Sequence, residues 1–332
     1  MSAEAAQLSR SAFIADLSPR ERSLWRVALT LVGGLFAGFL VGLLIGAIVL
    51  FGFAAATGGF SEGFGAFPGH LKALLAGADN DLKSSLVLLL LATATNGPWA
   101  ATFIALAALI AGRNIRGYLT AAPRFRWKLL AAGLVISFAL IGPFVIAGQL
   151  LDKTAPPAPL LSLAADWPGR IIYAVASVAL LVPAAAAEEV VFRGWLLRQT
   201  AALSRNPFFL MIVNGVLFSA VHGDFTPDPF LTRALMGAGF VYMTLRLGGV
   251  EFSTGAHAAN NILIVLFIQP LSLNPTASSG VSLDSLTQDA LLVFSYVLMT
   301  EVVLRVGPLR RWTGADLADP TRPAAMAATP FA

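Results

Sequence analysis

The sequence predicts an all-α fold, a polytopic membrane protein of about eight transmembrane helices. Three observations lead there. Of 332 residues, 57% are hydrophobic and only 12% charged, against roughly 25% charged in soluble domains. The apolar residues fall in long runs, and about 20 residues suffice for a helix to cross a bilayer. The basic residues gather between those runs rather than along one face. The net charge of +4 therefore reads as membrane topology and not as nucleic-acid binding. There is no cysteine, which excludes thiol catalysis, disulfides and thiolate metal sites.

In chain order, residues 1–26 are expected to form a cytoplasmic leader, interfacial or disordered, carrying Arg10, Arg20, Arg22 and Arg26. Their mixed polar character is not that of a cleavable signal peptide. The first span covers 27–56, with Gly33, Gly34 and Gly38 permitting close packing and the phenylalanines facing lipid. A Gly-rich loop (57–83) holds His70, expected to be an exposed loop histidine. Span two (84–111) is interrupted at Asn96-Gly97-Pro98, where a kink is expected.

Residues 113–128 contain Arg113, Arg116, Arg124, Arg126 and Lys128 and no acid. This bias places the segment, and by parity both termini, in the cytoplasm, with the plasma membrane as the expected location. Span three (129–151) leads to an external Pro-rich loop (154–168) with Trp167 at the interface. Residues 27–153 are thus three spans additional to a core at 170–306. Spans four to eight are drawn at 171–199, 206–223, 230–248, 252–270 and 289–305. The polar loop 271–288 falls outside, and 307–332 form a cytoplasmic disordered tail. No internal repeat is visible.

Span four ends in chemistry. After Ala184-Ala185-Ala186-Ala187 come Glu188-Glu189 and then Arg193. A charge at membrane depth costs about 2.5–3.5 kcal/mol on the milder scales, so a functional site is the default hypothesis. Four residues on a helix share a face, so Glu189 pairs with Arg193. Glu188 projects about 100° away and is left for chemistry.

The chain has three histidines. His222 ends Phe218-x-x-x-His222 late in span five, with Asn214 near the same face and able to orient it. His257 opens His257-x-x-x-Asn261 early in span seven. Each polar group would be costly facing lipid, so all should turn inward and converge on a catalytic cavity within the helical core. Two chemistries fit. Glu188 and His222 activate a water while His257 and Asn261 stabilise an oxyanion. Alternatively Glu188, His222 and His257 hold a zinc ion, the two-His-one-Glu set of catalytic zinc sites. Both are water attack on a carbonyl. The competing reading is a non-enzymatic scaffold or transporter whose buried polar groups bind an ion or a partner. A transporter should show repeats or paired broken helices, and neither is present.

Glu188-Glu189-x-x-x-Arg193, Phe218-x-x-x-His222 and His257-x-x-x-Asn261, in that order in a multi-pass chain, resemble the type II CAAX prenyl endopeptidase family. This is also called the CPBP or Abi family. The match covers about residues 171–269 and leaves spans one to three outside. The resemblance implies an intramembrane endopeptidase acting on membrane-associated or lipidated substrates. Its partners would be a peptide or protein substrate and the bilayer, with no nucleic acid. Glu188 and His222 would activate the water, His257 and Asn261 would stabilise the oxyanion, and Glu189 and Arg193 would support the site. Glutamate-type and metal-dependent mechanisms both remain open.

One tension follows from the drawn boundaries. Glu188 lies late in span four and His222 late in span five, so their depths differ by up to ~20 Å. Either span five starts deeper, or the 193–205 connection lies within the membrane region. Elsewhere, Glu301 and Arg305 are expected to pair at the end of span eight. Asp224 and Asp228 belong to a turn, Asp224 with a possible role behind His222.

Overall fold

The computed structural model describes residues 3–61, 63–272 and 280–318. Among them every element is helical, apart from one isolated antiparallel bridge between Thr120 and Gly249. Eight helical segments build the bundle: α1 (Leu24–Ala56), α2 (Leu82–Ala111), α3 (Trp127–Leu151), α4 (Trp167–Leu203), α5 (Pro207–Ala220), α6 (Pro227–Leu247), α7 (Glu251–Leu263, extended by a π-helical turn Ile264–Ile268) and α8 (Leu283–Arg305). Helices α1, α2, α3, α4 and α8 are long and apolar enough to cross a membrane. The chain is an all-α polytopic membrane protein.

The remaining three differ for a physical reason. α5 has only 14 residues. α7 is buried along all of Glu251–Asn260, packed against α3 and α4. It meets protein instead of lipid, and so tolerates a polar sequence that a lipid-facing helix does not. Its closeness to α3 rests on two glycines. A Cβ on Gly133 would lie 2.3 Å from the Phe252 carbonyl oxygen, and one on Gly255 2.1 Å from that of Leu130.

α1 packs on α2 through a stripe of buried glycines, Gly34, Gly38, Gly42 and Gly46. A Cβ on Gly38 would meet Trp99 Cδ1 at 2.7 Å and its carbonyl oxygen at 2.9 Å. Large apolar residues on the other faces of α1, including Phe36, Phe39 and Leu44, are exposed. α2 runs unbroken through Pro98, so the interruption expected at Asn96-Gly97-Pro98 does not divide it.

Two segments, the leader expected to be interfacial or disordered and the tail expected to be disordered, are folded where described. In the leader, Leu8, Phe13 and Ile14 are buried against Leu197, Ala201 and Leu245. Arg198 donates to Glu21 Oε1 and Asp16 Oδ1, each at 2.9 Å, and to the Phe13 carbonyl. Arg113 pairs with Asp16 and, at 3.3 Å, with Glu21. Burial pushes the Asp16 and Glu21 carboxyls up, but the Arg198 and Arg113 guanidiniums outweigh it and hold both below their ordinary range. At the other terminus a helix (Gly307–Thr313) and a turn (Ala315–Ala318) bury Thr313 and Ala315. Residues 319–332 of the expected tail and 273–279 of the expected outer loop lie outside the described residues. His70 stands on a helix (Phe67–Gly77), not in a loop, with Nε2 3.0 Å from Thr57 Oγ1.

The leader, the segment after α2 and the segment after α8 meet at one end of the bundle. There Ser11 Oγ donates to the Leu245 carbonyl and Ala121 N to that of Gly248. Arg126 forms a buried bidentate pair with Glu251, at 2.9 and 2.7 Å.

Candidate active site

The site is built on α4, where α-helix gives way to a π-helical stretch, Val190–Leu196, directly after Glu188-Glu189. Such wide turns recur at functional sites. Ala184, Ala185 and Ala187 keep the preceding turn slim and are buried. Gly194 lets the stretch rest on the chain at Tyr118, whose carbonyl oxygen a Cβ would meet at 2.5 Å.

Arg193 is fully buried. Its Nη1 lies 3.0 Å from Glu189 Oε1, and its Nη2 donates to the Gly237 carbonyl at 3.2 Å. The rings of Phe218 and Phe240 flank the guanidinium, 4.3 and 5.1 Å from Cζ. Aromatic faces attract a desolvated cation, which eases the burial of this charge.

The same Glu189 Oε1 faces His257 Nδ1 at 3.0 Å. A carboxylate only accepts, so Nδ1 carries the proton and Nε2 is the atom left for chemistry. Nε2 points toward Glu188, 3.7 Å from its Oε2, beyond direct hydrogen-bond range. Phe240 stacks on the imidazole at 5.1 Å. His257 is thus fixed on three sides, while the Glu188 side chain remains 23% exposed.

His222 lies just past the end of α5 and is exposed. Its Nδ1 donates to the Phe218 carbonyl at 2.8 Å, which leaves Nε2 as an acceptor. The edge-on contacts of Phe218 reach both imidazoles, at 4.9 Å to His222 and 5.7 Å to His257. Phe218 thus stands between the two imidazoles. Asn261, one turn beyond His257, is half-buried and makes no hydrogen bond with the described residues.

The depth tension dissolves in α4. Residues 193–203 continue the helix, and a three-residue loop leads into α5. Glu188 precedes the end of α4 by 15 positions and His222 follows the start of α5 by 15. At 1.5 Å per residue both lie roughly 22 Å from that turn. His257 joins them although it is only six residues into α7, because α7 begins level with Gly194, six residues beyond Glu188 on α4. Val250 N donates to the Leu119 carbonyl, next to the Tyr118 carbonyl that Gly194 packs on.

Other expectations divide. The Asn214 amide donates to Thr200 Oγ1 and the Leu210 carbonyl, both at 2.8 Å, and so ties α5 to α4 instead of orienting His222. Asp224 pairs with Arg233 at 2.8 Å and accepts from Thr226 N. Glu301 meets Arg305 at 2.8 Å but also Arg246 at 2.6 Å and Tyr242 at 2.8 Å. Phe240, with a ring on both Arg193 and His257, had no sequence signal. The Glu189–His257 contact was hidden behind the i, i+4 pairing of Glu189 with Arg193.

Among the described residues no group of three or more His, Cys, Asp or Glu side chains is arranged to hold a metal ion. The Nδ1 atoms of His257 and His222 are engaged by Glu189 and the Phe218 carbonyl, which leaves each Nε2 free, as in a histidine that ligates a metal. Of the three expected ligands, Glu188 and His257 face each other at 3.7 Å.

Comparison with known proteins selects the same region. Residues 169–263 match the family described as type II CAAX prenyl endopeptidase, Rce1-like. That stretch runs from α4 into α7 and supplies all the residues of the cluster. The uncharacterized protein YyaK of Bacillus subtilis (strain 168) is 32% identical over 166 residues, 47% of this chain and 53% of that protein. The chain therefore spans about half the length of this curated relative. No solved structure matches.

Proposed function

We propose that this chain, whose residues 169–263 match the family described as type II CAAX prenyl endopeptidase, Rce1-like, is an intramembrane endopeptidase that cleaves membrane-associated or lipidated protein substrates. The carrying observation is the open Glu188 carboxylate beside an imidazole whose far nitrogen is held by Glu189.

Glu188, aided by His222 Nε2, takes a proton from a water that attacks the scissile carbonyl. The C–O bond forms as the carbonyl electrons move onto oxygen. His257 Nε2, protonated, and the Asn261 amide donate to that oxyanion. Collapse breaks the C–N bond, and the proton held by Glu188 passes to the departing amine. Glu189 orients His257 through Nδ1, and Arg193 holds Glu189 in place. None of these steps requires a metal. Both termini are assigned to the cytoplasmic side of the plasma membrane, on the strength of the arginines in the leader, in residues 113–128 and after α8.

The test is cleavage of a membrane-anchored peptide by purified protein, comparing wild type, Glu188→Gln and Glu188→Ala. Loss of cleavage with an unchanged melting temperature supports the mechanism. Full activity in either variant overturns it. A chelator arm separates the zinc alternative, since the metal-free mechanism survives chelation. The cluster can also join α4, α6 and α7 without performing chemistry. If no peptide is cleaved while Glu189→Gln unfolds the protein, that scaffold reading stands.

A further inference from the structure

A concavity with a largely apolar wall lies at the end of the bundle where the leader meets the segment after α8. It has a volume of about 340 Å³ and is lined from both terminal segments and from the end of α6. Arg10 and Gln7 come from the leader, Arg246 from α6, and Arg310 and Asp316 from the C-terminal segment. Arg246 is neutralised by Glu301, at 2.6 Å. Arg10 and Arg310 are different: both guanidiniums are exposed and make no hydrogen bond or ion pair with the described residues. Two unengaged guanidiniums therefore line one cavity, with Asp316 a carboxylate on the same wall. Much of the remaining wall is apolar, including Leu8, Leu247 and Leu304.

We propose that this cavity binds the phosphate group of an acidic phospholipid and that the lipid fastens the leader to the C-terminal segment. Planar guanidiniums are suited to phosphate oxygens. Basic pockets where helices leave the bilayer recognise acidic headgroups. The position supplies the lipid source. Arg305 ends α8, and the helix Gly307–Thr313 that carries Arg310 starts two residues later. The cavity thus lies where a transmembrane helix emerges, at the level of the headgroups. Its apolar wall suits the glycerol and upper acyl portion of the same molecule. The cavity is separate from the Glu188–His257 cluster and does not depend on the proposed reaction.

The experiment is a thermal melt of the detergent-solubilised full chain titrated with phosphatidylglycerol, with phosphatidylcholine of the same acyl chains, and with inorganic phosphate. Native mass spectrometry counts the bound lipids. Wild type is expected to gain several degrees with phosphatidylglycerol and little with phosphatidylcholine or inorganic phosphate. In Arg10→Gln/Arg310→Gln that gain and one bound lipid are lost, while the lipid-free melting temperature is unchanged. If the double variant does not insert, the single variants Arg10→Gln and Arg310→Gln each show a partial loss. Equal gains in wild type and variant, or equal gains from the two lipids, overturn the proposal. Protection by inorganic phosphate alone assigns the site to a soluble anion and overturns the lipid.

Discussion

His257 Nδ1 and Glu189 Oε1 stand 3.0 Å apart in a fully buried contact, and the same carboxylate oxygen lies 3.0 Å from Arg193 Nη1. Glu189 is the common partner of a catalytic candidate and a buried cation, whereas Glu188, its neighbour in sequence, is partly open. The two adjacent acids should therefore fail in different ways.

Glu189→Gln leaves Arg193 buried and uncompensated. Removing one member of a buried pair costs about 3–5 kcal/mol, so this variant should melt far below wild type. Glu188→Gln should melt within a degree or two of wild type. Differential scanning fluorimetry in detergent reads both, and equal melting temperatures would count against the division of roles.

His222→Ala and His257→Ala should each lower the cleavage rate by about 10²–10⁴, the range typical of acid–base groups. His222 is exposed, so its variant should keep the wild-type melting temperature. His257→Ala should lose stability as well, because it leaves Glu189 one partner short. The check is kcat measured alongside a melt for each variant.

Gly38→Ala should disrupt the packing of α1 on α2, because the added Cβ meets Trp99 at 2.7 Å. Overpacking of this kind costs about 1–3 kcal/mol. Gly52→Ala is the control, since a Cβ there meets nothing within 4 Å. A cross-link between α1 and α2 that forms equally well in both variants would refute the packing account.

The leader should detach on acidification. Asp16 and Glu21 have folded pKa values below their ordinary 3.8 and 4.5, so their contribution is complete above about 4.5. It is lost as pH falls through the folded values. Limited proteolysis should show cleavage near residues 10–20 rising below about pH 4. In Asp16→Asn/Glu21→Gln the leader should be cleaved at neutral pH, without that acid dependence.

The spanning segments were legible because apolar run length is a one-dimensional property, and Gly34 and Gly38 already indicated a close-packed face on α1. The four-residue spacings of Glu189 with Arg193 and Phe218 with His222 were legible because a helix makes them neighbours. Folding of the leader was not. Glu21 finds its partner Arg198 across 177 positions, and composition alone describes such a segment as polar and solvated. The His257–Glu189 contact was hidden because it depends on how α7 is rotated against α4. Backbone approaches at Gly133 and Gly255 set that rotation, not a local pattern. Asn214 misled because the same helix face also looks toward Thr200.

The wide turn at Val190–Leu196 lies between the two functional halves of one continuous helix. Upstream are Glu188 and Glu189; downstream is Arg198, which holds the leader. A π-helical turn accommodates an extra residue relative to an α-helical one, so it sets the phase between the halves. Deleting one residue there would swing Arg198 about 100° around the axis relative to Glu189. The acids could then face His257 only with Arg198 turned away from Asp16 and Glu21, or the reverse. The site and the leader clamp are geared to each other through the pitch of this helix, and a length change between 190 and 196 should disable one of them even if every side chain named here is kept.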